Sequence, residues 1–291
     1  MFFELYWQYF VVGLIFYVIG RVGLTVYQGL NKKQALQKKD DDYQTPDQTA
    51  EMELESSKDE GDEELAPALP SDLKHIPLQF ERMSKDRAVK KSEEFYDLLN
   101  KRRTVRHFSK EPVPKEIIYN IIKTAGTAPS GAHTEPWTFA VVSSPEIKRQ
   151  IRQIIEDEEE INYKKRMGKV WTTDLKPLRT NWVKEYLTDA PYLILVFKQM
   201  YSFKEDGTKK LHYYNEQSVS LSCGILLAAI HCAGLVSLTS TPLNCGPALR
   251  SLLGRPASEK LTLLLPVGYP AEECLVPDLH RKPLEDIMVE F

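Results

Sequence analysis

Two runs of the chain are apolar almost from end to end. APYLILVFKQ covers residues 190–199 and KLTLLLPVGYP covers 260–270. Neither run alternates apolar with polar residues, so neither reads as a strand with one wet face. Both read as strands buried on two faces, which require helices on either side of their sheet. The rest of the chain supplies candidates. SEEFYDLLNKR (92–102) is helix-like, with Phe95, Leu98 and Leu99 on one stripe. Val113-Pro114 opens a second helix, with Ile117, Ile118, Ile121 and Ile122 apolar. PEIKRQIRQIIEDEEEINYKKRM (145–167) forms a third, and YNEQSVSLSCGILLAAIHCAG (214–234) a long apolar fourth, ended by Gly234. TFAVVS (138–143) and LVSLTST (235–241) are further strand candidates. The alternation predicts an α/β (α+β) sandwich, a central sheet covered by helices.

The first third of the chain is different. The net charge of -3 over 291 residues is a cancellation. Residues 1–39 carry five basic residues against Glu4, whereas residues 40–65 carry twelve acidic residues against Lys58. The stretch from Leu5 to about Val26 carries a single charge, Arg21, and is long enough to cross a bilayer core of about 30 Å if Arg21 snorkels. It lacks the basic start of a signal peptide, so an anchor over 1–30 is expected. Arg21, Lys32, Lys33, Lys38 and Lys39 follow the apolar run, which puts the remainder on the cytosolic side of a plasma or vesicle membrane. Residues 31–75 read as an acidic, disordered tether, too poor in apolar residues to offset their conformational entropy. That leaves 76–291 as one folded domain, and nothing in the overall charge suggests nucleic acid.

Metal and thiol chemistry find little support. Cys223, Cys232, Cys245 and Cys274 show no C-x-x-C spacing, and His75, His107, His133, His212, His231 and His280 show no ligand spacing. No G-x-G-x-x-G dinucleotide fingerprint is present.

Several short stretches remain. KRRTVRHF (101–108) brings Arg102, Arg103 and Arg106 within five residues; guanidinium forks suit phosphate, though a basic helix end in solvent has the same look. TAPSGAHTEPW (127–137) crowds small residues and prolines between a helix and a strand, where backbone N–H groups can meet an anion or a planar ligand, or merely turn the chain. TSTPLNCGP (239–247) ends a strand in hydroxyls that could bond a ring edge or cap the next element. PVGYP (266–270) and HRKP (280–283) follow.

In this order the stretches resemble the nitroreductase-like FMN flavoprotein superfamily, over about residues 92–288. Within it the chain is similar to the iodotyrosine deiodinase branch, through IIEDEEEINYKKRMG (154–168), LRTNWVKEYL (178–187) and SGAHTEPW. The usual nitroreductases carry Asn and Gln where this chain has His133 and Glu135. The resemblance implies a mostly antiparallel sheet in a domain-swapped homodimer, with FMN at the subunit interface touching both chains. It implies that Arg102, Arg103, Thr104, Val105, Arg106 and Arg281 hold the FMN polar groups. Pro129, Ser130 and Gly131 would face the isoalloxazine, and Thr239, Ser240 and Thr241 its other side. Thr241 would bond flavin N5 and favour one-electron steps.

The same resemblance implies a halogenated tyrosine as substrate. Glu159 would accept from its ammonium, Lys184 would pair its carboxylate, Tyr163 would bond the same end, and the Ala132 N–H would bind the phenolate. Glu159 and Tyr163 stand at i,i+4 on a helix, whereas Lys184 comes from a later element, so a lid at about 156–180 must fold to unite them. Read without the resemblance, Glu159 in EDEEE belongs to a solvated helix face. The implied activity is reductive deiodination of mono- and diiodotyrosine, with electrons from NADPH through a partner reductase. An NAD(P)H-dependent nitroreductase or quinone reductase stands as the alternative, as does a membrane-tethered flavin-binding protein without turnover.

Overall fold

The structure is a computed structural model; it describes residues 69–291 apart from 71, 205, 206 and 208. The expected anchor and nearly all of the tether therefore lie outside the described residues. Among the described residues no helix is long and apolar enough to cross a membrane.

In chain order the elements are α1 (Lys85–Asn100), α2 (Lys115–Ala125), β1 (Trp137–Val142), α3 (Pro145–Ile161), α4 (Lys169–Leu175), α5 (Tyr186–Asp189), β2 (Tyr192–Gln199), β3 (Tyr201–Phe203), β4 (Lys209–Leu211), α6 (Asn215–Cys232), β5 (Val236–Ser237), α7 (Gly246–Leu252) and β6 (Glu259–Gly268). Four strands form an antiparallel sheet in the order β1-β2-β6-β5, while β3 and β4 pair as a separate hairpin.

The continuous apolar run of β2 has a simple cause. Alternate side chains of a strand point to opposite faces, and β2 has a core on each. Leu193, Leu195 and Phe197 pack with Ile151 and Ile155 of α3 and Leu249 of α7. Tyr192, Ile194 and Val196 pack with Ile118 and Ile121 of α2 and with Val219, Cys223 and Leu226 of α6. Each such fully buried aliphatic or aromatic side chain contributes roughly 1.5–3 kcal/mol relative to exposure. The layers and the antiparallel sheet agree with the sequence expectation.

Local details position the site. Gly268, inside PVGYP, accepts the close approach of Pro191; a Cβ there would lie 2.5 Å from the proline Cδ. The 145–167 pattern does not continue as one helix. After Ile161 the chain makes a π-helical turn, Asn162–Arg166. Asn162 is 1% exposed, and its amide is held between Glu159 (3.3 Å) and Arg166 (3.0 Å), which stabilises the wider turn. The 235–241 strand is shorter than its sequence pattern. It ladders at Val236 and Ser237 and resumes as a single bridge from Ser240 to Leu264.

Candidate active site

The Arg102–Arg106 segment lies against the outer edge of the sheet. Thr104 bridges Ser237 in parallel, and the Val105 N–H donates to the Ser237 carbonyl at 3.1 Å. Val105 is buried, which turns its neighbours outward. Arg103 donates to the Pro277 carbonyl, and Arg281 donates to the Arg102 carbonyl at 3.0 Å. Burial holds the Arg102 guanidinium below its usual range, followed by repulsion from Arg281 and Arg103. Three guanidiniums thus converge with carbonyls as acceptors, and an anion such as a phosphate ester would relieve their repulsion. Thr104 and Arg106 line a cavity of about 560 Å³ together with Pro177, Leu178, Arg179 and the 273–278 segment.

The hydroxyl cluster divides by strand alternation. Thr239 and Thr241 are exposed, whereas Ser240 is half-buried and its hydroxyl acts on the Tyr186 phenol. Tyr186 is buried, and burial pushes its phenol up to about 12, opposed by the Ser240 hydroxyl. Thr239 and Thr241 are therefore open to meet the polar edge of a ring.

The loop after Pro129 is strained. Ala132, His133 and Glu135 adopt left-handed φ values of 46°, 51° and 45°. Such positions cost on the order of 1–3 kcal/mol each and persist only where the surroundings hold them. Here the Glu135 N–H donates to the Ser130 hydroxyl at 3.0 Å, and His133 pairs with Glu135 at 3.1 Å. Gly131 packs on Tyr213 and Tyr214, where a Cβ would stand 3.2 Å from the Tyr213 carbonyl oxygen. Pro129 and Ala132 are exposed. Among the described residues no hydrogen bond joins this loop to the Arg102–Arg106 segment.

The third group forms beyond α3. Lys184 Nζ lies 3.6 Å from Glu159 Oε2, and the side chains are only 8% and 13% exposed. The ammonium stands 5.4 Å from the centre of the Tyr163 ring, which packs edge-on against Trp182 at 6.1 Å. Burial lowers the Lys184 pKa, opposed chiefly by Glu159. Burial raises that of Tyr163, opposed by the Thr180 hydroxyl. Arg106 lines one cavity with Thr180, Asn181, Val183 and Tyr186, so the sheet edge and this group open onto the same space. Glu159, Tyr163 and Lys184 are brought together. Glu159 leaves the solvated face on which its acidic neighbours alone would place it.

Sequence reasoning passed over Tyr186 and three residues of α3: Lys148, Arg152 and Glu156. The last three recur every fourth residue beside the apolar Ile151 and Ile155, and that spacing was the available signal.

The chain matches the Nitroreductase family over residues 99–269. It is 66% identical over 217 residues to human iodotyrosine deiodinase 1, covering 75% of each chain. It is 61% identical over 249 residues to the iodotyrosine deiodinase of Danio rerio, covering 86% of this chain and 82% of that one. A crystal structure of oxidized iodotyrosine deiodinase bound to FMN and 3-iodo-L-tyrosine superposes with a TM-score of 0.59 at 34% identity, covering 68% of this chain and 98% of that one. With its sheet, its arginine edge and its Glu159–Lys184 pair, the chain belongs to the nitroreductase family, in its iodotyrosine deiodinase branch.

Proposed function

We propose that this protein removes iodide reductively from mono- and diiodotyrosine, with FMN as cofactor and NADPH as the ultimate electron source. The observation that carries the reading is the buried, oppositely charged pair Glu159–Lys184, 3.6 Å apart beside the Tyr163 ring. An amino-acid zwitterion carries both signs on one carbon. A carboxylate and an ammonium held this close need only part to receive it.

FMN fits the sheet edge. Arg102, Arg103 and Arg281 would take its phosphate, where their mutual repulsion leaves positive charge unbalanced. Thr104, Val105 and Arg106 would line its polar chain. Thr239 and Thr241 would face the ring, with Thr241 donating its hydroxyl there. When bound, FMN supplies the two electrons that, with one proton, exchange a carbon–iodine bond for carbon–hydrogen and free iodide. The protein's own part is placement. Glu159 accepts from the substrate ammonium, Lys184 pairs its carboxylate and Tyr163 bonds the same end. The N–H of Ala132, in a loop held in left-handed backbone, receives the phenolate. The segment at about 156–180 acts as a lid that keeps water from the stacked rings.

The functional unit is a homodimer in which Pro129, Ser130, Gly131 and Ala132 of one chain serve the FMN of the other. Two features support it: the loop makes no hydrogen bond to its own arginine edge, and large apolar side chains stand bare in the single chain. Phe95 and Tyr96 of α1 are 58% and 65% exposed, and Ile287 and Val289 near the C-terminus 67% and 75%. The apolar run from Leu5 to about Val26 would anchor the protein in a membrane, with the folded domain in the cytosol, and a separate reductase would deliver the electrons.

Chemically reduced protein mixed with 3,5-diiodotyrosine should release iodide stoichiometrically with flavin reoxidation. Direct NADPH turnover of nitroaromatics or quinones with no iodide release would replace this reading by that of a nitroreductase.

A further inference from the structure

One face of α3 is bonded to the return of the chain at 184–190. Lys148 Nζ donates to the Ala190 carbonyl at 2.7 Å and to the Thr188 carbonyl at 3.2 Å. Arg152 donates to the Thr188 hydroxyl at 2.9 Å and, through Nε, to Glu156 Oε1 at 2.8 Å. The same Glu156 oxygen accepts the backbone N–H of Lys184 at 2.6 Å. One helical turn farther on, Glu159 meets the ammonium of that lysine. Lys184 is thus gripped at its backbone by Glu156 and at its tip by Glu159.

We infer that Glu156, oriented by Arg152, is a positioning residue for substrate recognition: it closes the base of the 157–183 excursion and fixes the point from which Lys184 reaches the substrate carboxylate. Glu156 itself needs no contact with the substrate. Closing a long excursion costs chain entropy, and a carboxylate on a backbone N–H is among the stronger hydrogen bonds available to offset it. The charge also matters at the other side, because Arg152 holds the acceptor oxygen in place. Glutamine could still accept from the Lys184 N–H but would lose the ion pair.

The inference rests on the proposed zwitterion site, so its test uses two ligands: 3,5-diiodotyrosine, and 2-iodophenol, which has no zwitterion. Binding is read by quenching of flavin fluorescence in the FMN-loaded protein. Glu156→Ala should weaken diiodotyrosine about tenfold while changing 2-iodophenol and FMN by less than about twofold. Glu156→Gln should recover most of that loss. Arg152→Met, which leaves the carboxylate in place, should give the same selective weakening at about threefold and carries the test if Glu156→Ala does not fold. Adding Glu156→Ala to Lys184→Ala should weaken diiodotyrosine no further than Lys184→Ala alone. Parallel weakening of both ligands, or additivity with Lys184→Ala, would overturn the inference. Unchanged diiodotyrosine affinity in Lys184→Ala would overturn the zwitterion site and the brace together. A loss in Lys184→Ala with none in Glu156→Ala or Arg152→Met would remove the brace alone.

Discussion

The arginine edge and the 157–183 excursion both gather polar side chains, but they hold them by different means. At the edge the backbone is locked first. Thr104 and Val105 are bonded to Ser237, and Ser240 exchanges two bonds with Leu264, at 2.9 and 2.8 Å. The guanidiniums then repel one another over carbonyl acceptors. In the excursion the backbone is a π-turn and short helices, and the charges are satisfied by each other, Glu159 by Lys184 and Asn162. A rigid frame with unbalanced charge suits a cofactor that stays. A site whose charges balance each other suits a ligand that comes and goes, because the internal pair re-forms when the ligand leaves.

The contrast breaks first, and by the largest factor, at the arginines. Replacing Arg103 and Arg281 together by alanine removes two donors that would meet the FMN phosphate. Charge-assisted hydrogen bonds are worth about 1.5–3 kcal/mol each, so the FMN dissociation constant should rise at least about 100-fold. Equilibrium dialysis with fluorescence detection of free flavin measures this. Retention of FMN at wild-type affinity would show that the charge at this edge serves something else.

Lys184→Ala sharpens the comparison from the other side. It should raise the dissociation constant for diiodotyrosine by about 10–100-fold, because the variant loses the partner of the substrate carboxylate. FMN should stay bound, since among the described residues the Lys184 ammonium is bonded to Glu159 and Asn181 and stands over the Tyr163 ring. Titrating the flavin absorbance with diiodotyrosine reads both quantities at once. Release of flavin by this variant would mean that the two regions are one cooperative unit.

The two regions also differ in how far the sequence reveals them. The sheet follows from β2 alone, since a run with no polar residue from Tyr192 to Phe197 demands a core on both faces. The arginines are visible as a local cluster, but their convergence with Arg281 joins positions 179 residues apart and no local pattern carries it. Glu159 is harder still. In EDEEE every residue carries a carboxylate, and only the helix phase separates the exposed Asp157 from Glu156 and Glu159, which turn toward Lys184. That phase is set by Ile151 and Ile155, buried at 0% and 1%. The π-turn then shifts it again at Asn162, and periodicity arguments fail wherever the period itself changes.

The smallest expected effect tests the seam between the two regions. Tyr186 begins α5 just after Lys184, and its buried phenol feels the Ser240 hydroxyl of the edge. Burial raises the phenol from its ordinary value near 10 to about 12. The unfolded chain therefore loses this proton first as pH rises. Between about pH 10 and 12 the folded protein holds the proton and the unfolded chain does not, so stability contributed below pH 10 is lost across that window. A shift of this size corresponds to at most about 2–3 kcal/mol. Tyr186→Phe cannot titrate. It should be less stable than wild type near neutral pH by about 1 kcal/mol, because the phenol's polar interaction with the Ser240 hydroxyl is lost, and the gap should narrow or reverse as pH climbs from 10 to 12. Urea unfolding of both proteins at stepped pH gives the difference free of the other alkaline groups, which the two share. A gap that stays constant across that window would place the Tyr186 hydroxyl in solvent and leave Ser240 free to face the ring beside Thr239 and Thr241.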